Sequence, residues 1–323
     1  MAKSRILAAA THITRRAARR RYSVVSTILV VFLLLPIFLY FLLGKVIAND
    51  PRLVPHAIRH AQNVLLITAH PDDGALYFGP SMLQGWGRKH VNLYMLVLSS
   101  SGGKSDGRAE TRRAETKASC AELGVVDKKC LILENKGLQG DSPKPWDEQI
   151  VERVLERHVK KWDIDLIITF DEYGGVSGAG ANHDQQHRSV NKGVQRFIKN
   201  KHRQVGKDEE HKPTAYALQT TFVLRKYLSL ADLVPTSFPF TLRILEALLT
   251  SVHETPAEPT SGGKLAPPKN GDVYGDRALI VTDWGRHTRA QAALGEHASR
   301  YTWDRVLYSV LSRYMWFNDL RRM

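Results

Sequence analysis

The sequence has few cysteines and no glycosylation signal. Its 323 residues include only two cysteines, Cys120 and Cys130, and no Asn is followed by the x-Ser/Thr acceptor pattern. These absences exclude the small secreted domains that depend on several disulfides. They also favour a reducing compartment over a lumenal one for the folded part of the chain.

Acidic residues are missing from the chain before Asp50, where eight Lys and Arg residues contribute most of the net charge of +14. A basic tail of this kind is typical of proteins that bind nucleic acid or anionic lipid, and of targeting signals. The chain has no basic motif interleaved with aromatics and no zinc-finger spacing. We therefore expect no nucleic-acid partner.

Charge is absent from residues 24–44, "VVSTILVVFLLLPIFLYFLLG". About 20 apolar residues suffice to cross a bilayer, so the sequence predicts a basic tail over 1–23 and a transmembrane helix over 24–44. A cleaved signal peptide would have a shorter apolar region and a small-residue cleavage site, whereas Lys45 and Val46 follow here. A mitochondrial presequence ahead of an inner-membrane anchor stays open as an alternative.

Residues 60–323 alternate short apolar runs with helical patterns, which predicts an α/β domain with a mainly parallel sheet and helices on both faces. The Pro- and Gly-rich stretch 252–272 indicates a disordered insertion. The predicted strands are 63–69, 91–99, 129–135, 165–171, 214–220 and 278–283, and the clearest helical patterns lie at 108–123 and 146–162.

Groups able to bind a metal follow two of these strands. His70, Asp72 and Asp73 come after the first strand, and Asp171 closes the fourth, ahead of His183 and His187. Taken singly, an Asp in a first helical turn is a common cap, and a His pair is often solvent-facing. Because parallel strands end at one edge of a sheet, the joint placement predicts a mononuclear site of two His and one Asp, open to water.

The motifs "AHPDD", "RRAET" and "TFDEYGGVSG…NHDQQHRSV" resemble the PIG-L/LmbE-like de-N-acetylase family. The segments "LQTTFVLRKYLSLADL" and "HASRYTWDRVLYSVLSRYMWFNDL" are similar to its eukaryotic branch. That branch removes acetate from N-acetylglucosaminyl-phosphatidylinositol (GlcNAc-PI) in glycosylphosphatidylinositol (GPI) anchor synthesis. The resemblance covers residues 60–323, with 200–213 and 252–272 as insertions, and implies a Rossmann-like fold.

The resemblance also implies residue roles. His70, Asp73 and His187 would bind Zn²⁺ or another divalent metal, Asp72 would be the general base, and His183 would stabilise the oxyanion or protonate the leaving amine. This chain departs from the family at two places: the His pair is spaced HxxxH rather than HxxH, and Gly74 replaces the usual Glu. Both departures could weaken activity.

Two further residues are expected to contact substrate. The resemblance implies that Arg112 binds a polar group such as the phosphate or inositol, since a guanidinium suits such groups. The alternative for Arg112 is an exposed pair with Glu115 at i,i+3. Asp171 is expected at the substrate site because it closes a strand at the active edge of the sheet.

Residues 303–317 mix aromatics, Arg and apolar residues. They predict either an interfacial helix beside the membrane or a buried terminal helix. The charge bias across the span favours a lumenal domain, whereas the resemblance implies an endoplasmic reticulum protein with a cytosolic one. A deacetylase of another N-acetyl sugar and an inactive membrane scaffold remain alternative functions.

Overall fold

The computed structural model describes residues 22–23, 25–84, 91–100, 109–139, 144–175, 181–203, 212–250, 273–300 and 302–323. The side chains of residues 127, 181–184, 202 and 300 lie outside this description. Most of the basic tail, the predicted insertion 252–272 and much of the insertion 200–213 also lie outside it.

The described strands form one sheet of seven, in the order β3-β2-β1-β4-β5-β7-β6. Strands β1 to β5 are parallel, whereas β7 runs antiparallel to both β5 and β6. The strands are β1 (Asn63–Thr68), β2 (Asn92–Val97), β3 (Cys130–Ile132), β4 (Leu166–Phe170), β5 (Thr214–Leu218), β6 (Arg277–Val281) and β7 (Phe317–Arg322).

Helices cover both faces of this sheet and bury a hydrophobic cluster on each. They are α1 (Val25–Val46), α2 (His56–Arg59), α3 (Asp73–Tyr77), α4 (Gly79–Leu83), α5 (Ala109–Glu122), α6 (Glu148–Trp162), α7 (Ala181–Arg203), α8 (Val223–Lys226), α9 (Leu233–Ser237), α10 (Thr241–Leu249), α11 (Trp284–Gly295) and α12 (Trp303–Leu311). The predicted α/β class and all six predicted strands are confirmed.

Helix α6 shows how local sequence sets these elements. The Asp147 side chain caps its start by accepting a hydrogen bond from the Gln149 backbone N–H at 2.8 Å. It ends at Asp163, whose left-handed backbone (φ 51°) stops the helix. One side of the predicted helix packs on the domain: Val151, Val154, Leu155 and Val159 are buried, and Ile150 packs against the same cluster.

Helix α1 is long and apolar enough to cross a membrane, and it includes most of the predicted span. Its central apolar side chains are exposed, whereas Leu42, Leu43 and Gly44 near its end are buried against the domain. The helix contacts α9 and the 3₁₀ turn Ser229–Asp232. A single N-terminal apolar helix of this kind indicates single-pass anchoring.

The two cysteines form a disulfide between the end of α5 and the start of β3. Both Cys120 and Cys130 are buried. The low cysteine count therefore gives no support to a reducing compartment, and that expectation is corrected. Packing of α5 beside β3 brings the two sulfur atoms together, which a count of two cysteines does not reveal.

The C-terminal segment also differs from the sequence-based prediction. Helix α12 ends at Leu311, and a 3₁₀ turn (Arg313–Met315) leads into β7. A single helix over 303–317 is therefore wrong beyond Leu311. Strand β7 was not predicted because it contains the polar residues Asn318 and Asp319, which are nevertheless buried. Asn318 accepts a hydrogen bond from Ser81 Oγ at 2.6 Å, and Asp319 accepts one from Arg277 Nε at 2.8 Å.

Candidate active site

The candidate site lies where the strand order reverses. In the order β3-β2-β1-β4-β5, the chain leaves β1 toward β2 and leaves β4 toward β5. A crevice therefore opens at the carboxyl ends of β1 and β4, the usual ligand position in such sheets. His70, Asp72 and Asp73 follow β1, and His187 lies in the first turns of α7, which follows β4.

Asp73 is held by the backbone of the turn after β1. Its Oδ2 accepts hydrogen bonds from the N–H groups of Ala69 at 3.1 Å and His70 at 2.7 Å. The carboxylate therefore reaches back over the strand end. Asp73 is buried and the first residue of α3.

His70 and His187 meet at this carboxylate. His187 Nε2 lies 3.1 Å from Asp73 Oδ2, and His70 Nδ1 lies 3.5 Å from the same oxygen and 3.3 Å from His187 Nε2. All three residues are buried, and their candidate ligand atoms lie within 4.8 Å of one another. The structure thus brings together the three predicted metal ligands.

The second nitrogen of each imidazole has a partner outside the triad. His187 Nδ1 lies 2.8 Å from the carbonyl oxygen of Gly174, and His70 Nε2 contacts Gln186 Oε1. Both partners are acceptors, which favours a proton on each of these outer nitrogens. In that tautomer His70 Nδ1 and His187 Nε2, the nitrogens that face Asp73, are the ones that would bind a metal.

Aromatic rings fix the plane of His187. The Phe170 ring at the end of β4 stacks on the imidazole, with centroids 3.9 Å apart and planes 10° apart. The Tyr77 ring meets it edge-on at 6.0 Å. His187 is therefore restricted in rotation by packing as well as by its hydrogen bond.

Electrostatics at the triad favour a cation. Burial alone would raise the pKa of Asp73, but His187 and His70 outweigh it and the pKa is lowered. Burial alone would lower the pKa of His70, but the Asp73 carboxylate, with Asp72 and Gln186, holds that pKa above its ordinary value. Asp73 is thus ionised at neutral pH, and positive charge is stabilised beside it.

The donor set fits a divalent metal. One carboxylate oxygen and two imidazole lone pairs, oriented by outside hydrogen bonds, match the three protein ligands of catalytic zinc sites. Three ligands leave a coordination position for water or substrate. The residues present therefore fit the metal dependence that the sequence predicts.

Asp72 lies beside the triad and pairs with the C-terminal helix. Its Oδ2 accepts a hydrogen bond from Arg305 Nη2 of α12 at 2.7 Å, although the two residues are 233 positions apart. Both side chains are largely buried. The predicted general base therefore has its orientation set by Arg305.

Asp171 is bonded to the protein's own backbone. Its Oδ1 accepts from the N–H groups of Tyr173 at 3.1 Å and Gly174 at 3.0 Å, and its Oδ2 accepts from Thr220 N–H at 2.7 Å. These bonds shape the turn whose Gly174 carbonyl holds His187. This bonding favours a positioning role for Asp171 over the predicted contact with substrate, which stays a prediction.

The described contacts do not test the roles predicted for Arg112 and His183. Arg112 is half-buried in α5, and its backbone carbonyl accepts from Thr116 Oγ1 at 2.6 Å. Glu115, its alternative partner, accepts hydrogen bonds from Ser299 N–H at 2.7 Å and Ser299 Oγ at 2.6 Å. His183 belongs to the first turn of α7, but its side chain lies outside the described residues, so its role also stays a prediction.

Gly74 has a packing reason in this chain. A Cβ built at Gly74 would lie 2.6 Å from Met95 Cε, the end of a flexible side chain, so a larger residue here requires Met95 to shift. Met95 of β2 therefore packs against the position where the resemblance implies a Glu in the family. The departure therefore belongs to local packing behind the site and leaves the ligand triad in place.

Three residues with clear positions in the site were missed from the sequence: Gln186, Gly174 and Arg305. Gln186 could have been suspected, because it directly precedes the predicted ligand His187. A backbone carbonyl gives no sequence signal, and Arg305 is distant from the motifs along the chain.

Comparison with known proteins agrees with this geometry. Residues 65–198 match the family model described as PIG-L, GlcNAc-PI de-N-acetylase. The matched range contains all three residues of the triad. Residues beyond this range are matched by the longer alignments to whole relatives.

Curated relatives cover most of the chain. It is 31% identical over 259 residues to an N-acetylglucosaminyl-phosphatidylinositol de-N-acetylase of Bos taurus, covering 79% of this chain and 81% of that protein. It is 26% identical over 293 residues to the enzyme of that name from Saccharomyces cerevisiae, covering 88% and 89%.

A solved structure shows the same fold. N,N'-diacetylchitobiose deacetylase from Pyrococcus horikoshii superposes with a TM-score of 0.50 at 15% identity, covering 88% of this chain and 90% of that one. The Bos taurus relative and the matched family motifs show that the chain belongs to the GlcNAc-PI de-N-acetylase (PIG-L) family.

Proposed function

We propose that the protein is a metal-dependent amidohydrolase that removes the acetyl group of GlcNAc-PI, giving glucosaminyl-phosphatidylinositol and acetate in GPI-anchor biosynthesis. The observation that carries the proposal is the buried His70–Asp73–His187 triad with Asp72 beside it. The names of the relatives supply the substrate, and the triad supports the reaction class.

His70, Asp73 and His187 would hold the ion, for which Zn²⁺ is our proposal because two imidazoles and one carboxylate are a usual zinc set. A bound divalent metal supplies Lewis-acid chemistry that lowers the pKa of water and polarises an acyl oxygen. The Gln186 and Gly174 hydrogen bonds keep both imidazoles in the tautomers that binding requires.

Asp72 is the proposed general base. It would accept a proton from the attacking water as the water oxygen bonds to the acetamide carbon. Arg305 holds this carboxylate beside the triad by donating to Asp72 Oδ2 at 2.7 Å. Breaking the C–N bond then requires a proton on the leaving amine, and His183 is the predicted donor.

Arg112 remains the proposed contact for the phosphate or inositol, and Arg305 adds a second guanidinium at the site. Arg305 Nη1 is a buried N–H group with no hydrogen-bond acceptor among the described residues. It is therefore suited to an anionic or carbonyl oxygen of the substrate.

We also propose that the protein is a single-pass protein of the endoplasmic reticulum membrane. Helix α1 supports the anchor by length and composition. The compartment follows from the proposed substrate, a membrane glycolipid of the GPI pathway.

The test is incubation of the detergent-solubilised full chain with GlcNAc-PI, with detection of the free amine product. Wild type should release glucosaminyl-phosphatidylinositol, and Asp72→Asn should be at least about 10²-fold slower because the base is lost. An inactive wild type, in a detergent where a known deacetylase works, overturns the proposal. Activity on other N-acetyl sugars but not on GlcNAc-PI would keep the deacetylase reaction and show that the substrate is a different sugar.

A further inference from the structure

Helix α12 turns its apolar side outward. Its exposed residues follow the spacing i, i+3, i+4, i+7, i+8, which forms one stripe along a helix. The stripe consists of Trp303, Val306, Leu307, Val310 and Leu311, each between 42% and 76% exposed. The opposite side faces the protein: Arg305 binds Asp72, and Tyr308 Oη donates to the Leu76 carbonyl at 2.8 Å.

Helix α10 has the same inverted arrangement. Ile244 and Ala247 pack against the core, whereas the outer residues are between 51% and 79% exposed. These outer residues are Leu242, Leu245, Leu248 and Leu249. Phe238 in the preceding 3₁₀ turn is even more exposed.

The segment of α8 adds apolar residues beside α12. Phe222, Leu224 and Tyr227 are all exposed. Tyr227 meets the Tyr308 ring edge-on at 6.3 Å, and Ser229 Oγ donates to the Val310 carbonyl at 2.8 Å. We call the exposed apolar residues of α10 and α12, with Phe222, Leu224, Tyr227 and Phe238, the apolar face.

The apolar face adjoins helix α1. That helix packs on α9 and on the turn Ser229–Asp232, the elements that join α8 to α10. Ile37, Phe38 and Phe41, in the part of α1 that leads into this packing, are exposed. A surface that continues from the end of a membrane span is at the depth of the lipid headgroups.

We infer that the apolar face lies in the bilayer interface beside the span, so that α12 both binds the membrane and holds Asp72 through Arg305. The inference rests on the proposed function for its membrane and adds the surface that presents the site to a lipid-borne sugar. Large exposed apolar patches are unusual on soluble proteins, and a mixture of Trp, Tyr and Leu is typical of interfacial helices.

Nitroxide labels in the full chain, reconstituted in phosphatidylcholine vesicles, test this placement. Single cysteines are introduced at Leu307 and Leu245, at Phe38 as a lipid-exposed reference, and at Val126 as an apolar control that is 63% exposed. Val126 precedes β3 and lies at the opposite edge of the sheet from the site. Accessibility is measured to oxygen, which enters lipid, and to a polar nickel chelate, which does not.

Labels at Leu307 and Leu245 should be accessible to oxygen and protected from the chelate, whereas the Val126 label should be accessible to the chelate. Chelate access at Leu307 equal to that at Val126 overturns the inference. Protection from both reagents overturns it too, because it shows a protein contact. The measurement needs no turnover, so failure of the proposed reaction is detected separately.

An activity comparison checks the consequence. Leu307→Glu should raise KM for GlcNAc-PI in vesicles about tenfold, because a charge is disfavoured in the interface. Its kcat on a deacylated, water-soluble substrate should be unchanged. Val126→Glu should alter neither value, and an equal rise in KM for both variants overturns the inference.

Discussion

His187 is fixed from three directions, by the Gly174 carbonyl, the Phe170 ring and the Asp73 carboxylate. Such restraint leaves the imidazole one orientation and one tautomer. A residue held in this way is preorganised to bind a metal without a further loss of side-chain entropy. His187 is therefore a better ligand than a histidine on an open helix surface.

The ligand assignment is tested by metal content. We expect Asp73→Ala and His187→Ala to lose bound zinc, because two remaining protein ligands are too few to hold the ion. Asp72→Asn should keep it, because Asp72 pairs with Arg305 outside the triad. Metal analysis of protein purified without chelators gives the stoichiometry. Full occupancy in His187→Ala, with loss in His183→Ala, would show that the two histidines are assigned the wrong way round.

Gln186 orients His70 without being a ligand. We expect Gln186→Ala to lower zinc affinity about 10- to 100-fold, because the His70 tautomer and ring angle are no longer held. Competition with a fluorescent chelator measures the affinity. Gln185→Ala is the matched control on the same helix turn, and equal losses in the two variants would contradict a specific role.

Arg305 is expected to act through Asp72. Arg305→Ala should lower kcat about 10²-fold, because a displaced base costs far more than a lost surface contact. Zinc content should be unchanged, and Arg305→Lys should recover part of the rate. Arg289→Ala on α11 serves as the control. A rise in KM with normal kcat would instead assign Arg305 to substrate binding alone.

Helices α6 and α7 pack closely because Gly193 has no side chain. A Cβ at Gly193 would lie 2.4 Å from Val151 Cγ1 and 3.4 Å from the Glu148 carbonyl oxygen. The stiff Val151 side chain cannot rotate away easily. This contact holds α7, and therefore His187, against the rest of the domain.

We expect Gly193→Ala to reduce the free energy of unfolding by about 1–3 kcal/mol through overpacking. Thermal unfolding in detergent measures the change. Gly295→Ala is the control, because no atom lies within 4 Å of the added Cβ there. The double variant Gly193→Ala/Val151→Ala should lose less free energy of unfolding than the two single variants lose together, because Val151→Ala removes the clash. Strictly additive losses would contradict the contact.

Elements differed in how far the sequence specified them. The parallel strands were predictable because Val, Ile and Leu runs are required when both faces of a strand are covered. Strand β7 was not, because Asn318 and Asp319 are buried through partners on α4 and β6 that sequence proximity does not reveal. The ligand triad could be placed from its motifs, whereas the Arg305–Asp72 pair depends on the path of the whole chain.

For the whole molecule, membrane orientation decides which leaflet the site can reach. The Arg-rich tail before α1 favours a cytosolic N-terminus and a lumenal domain, and Lys45, Arg52 and Arg59 after it partly offset that bias. Because Cys120 and Cys130 form a disulfide, the low cysteine count no longer supports a cytosolic domain. The family resemblance places the catalytic domain on the cytosolic side.

We predict a cytosolic catalytic domain, because the family resemblance concerns the domain that carries the reaction, whereas Lys45, Arg52 and Arg59 after the span partly offset the Arg cluster before it. Sealed microsomes containing the full chain with a C-terminal tag are treated with protease. The tag should be digested without detergent, while a lumenal marker protein in the same vesicles stays intact. A tag protected until detergent is added would place the domain in the lumen and show that the Arg cluster determines the topology.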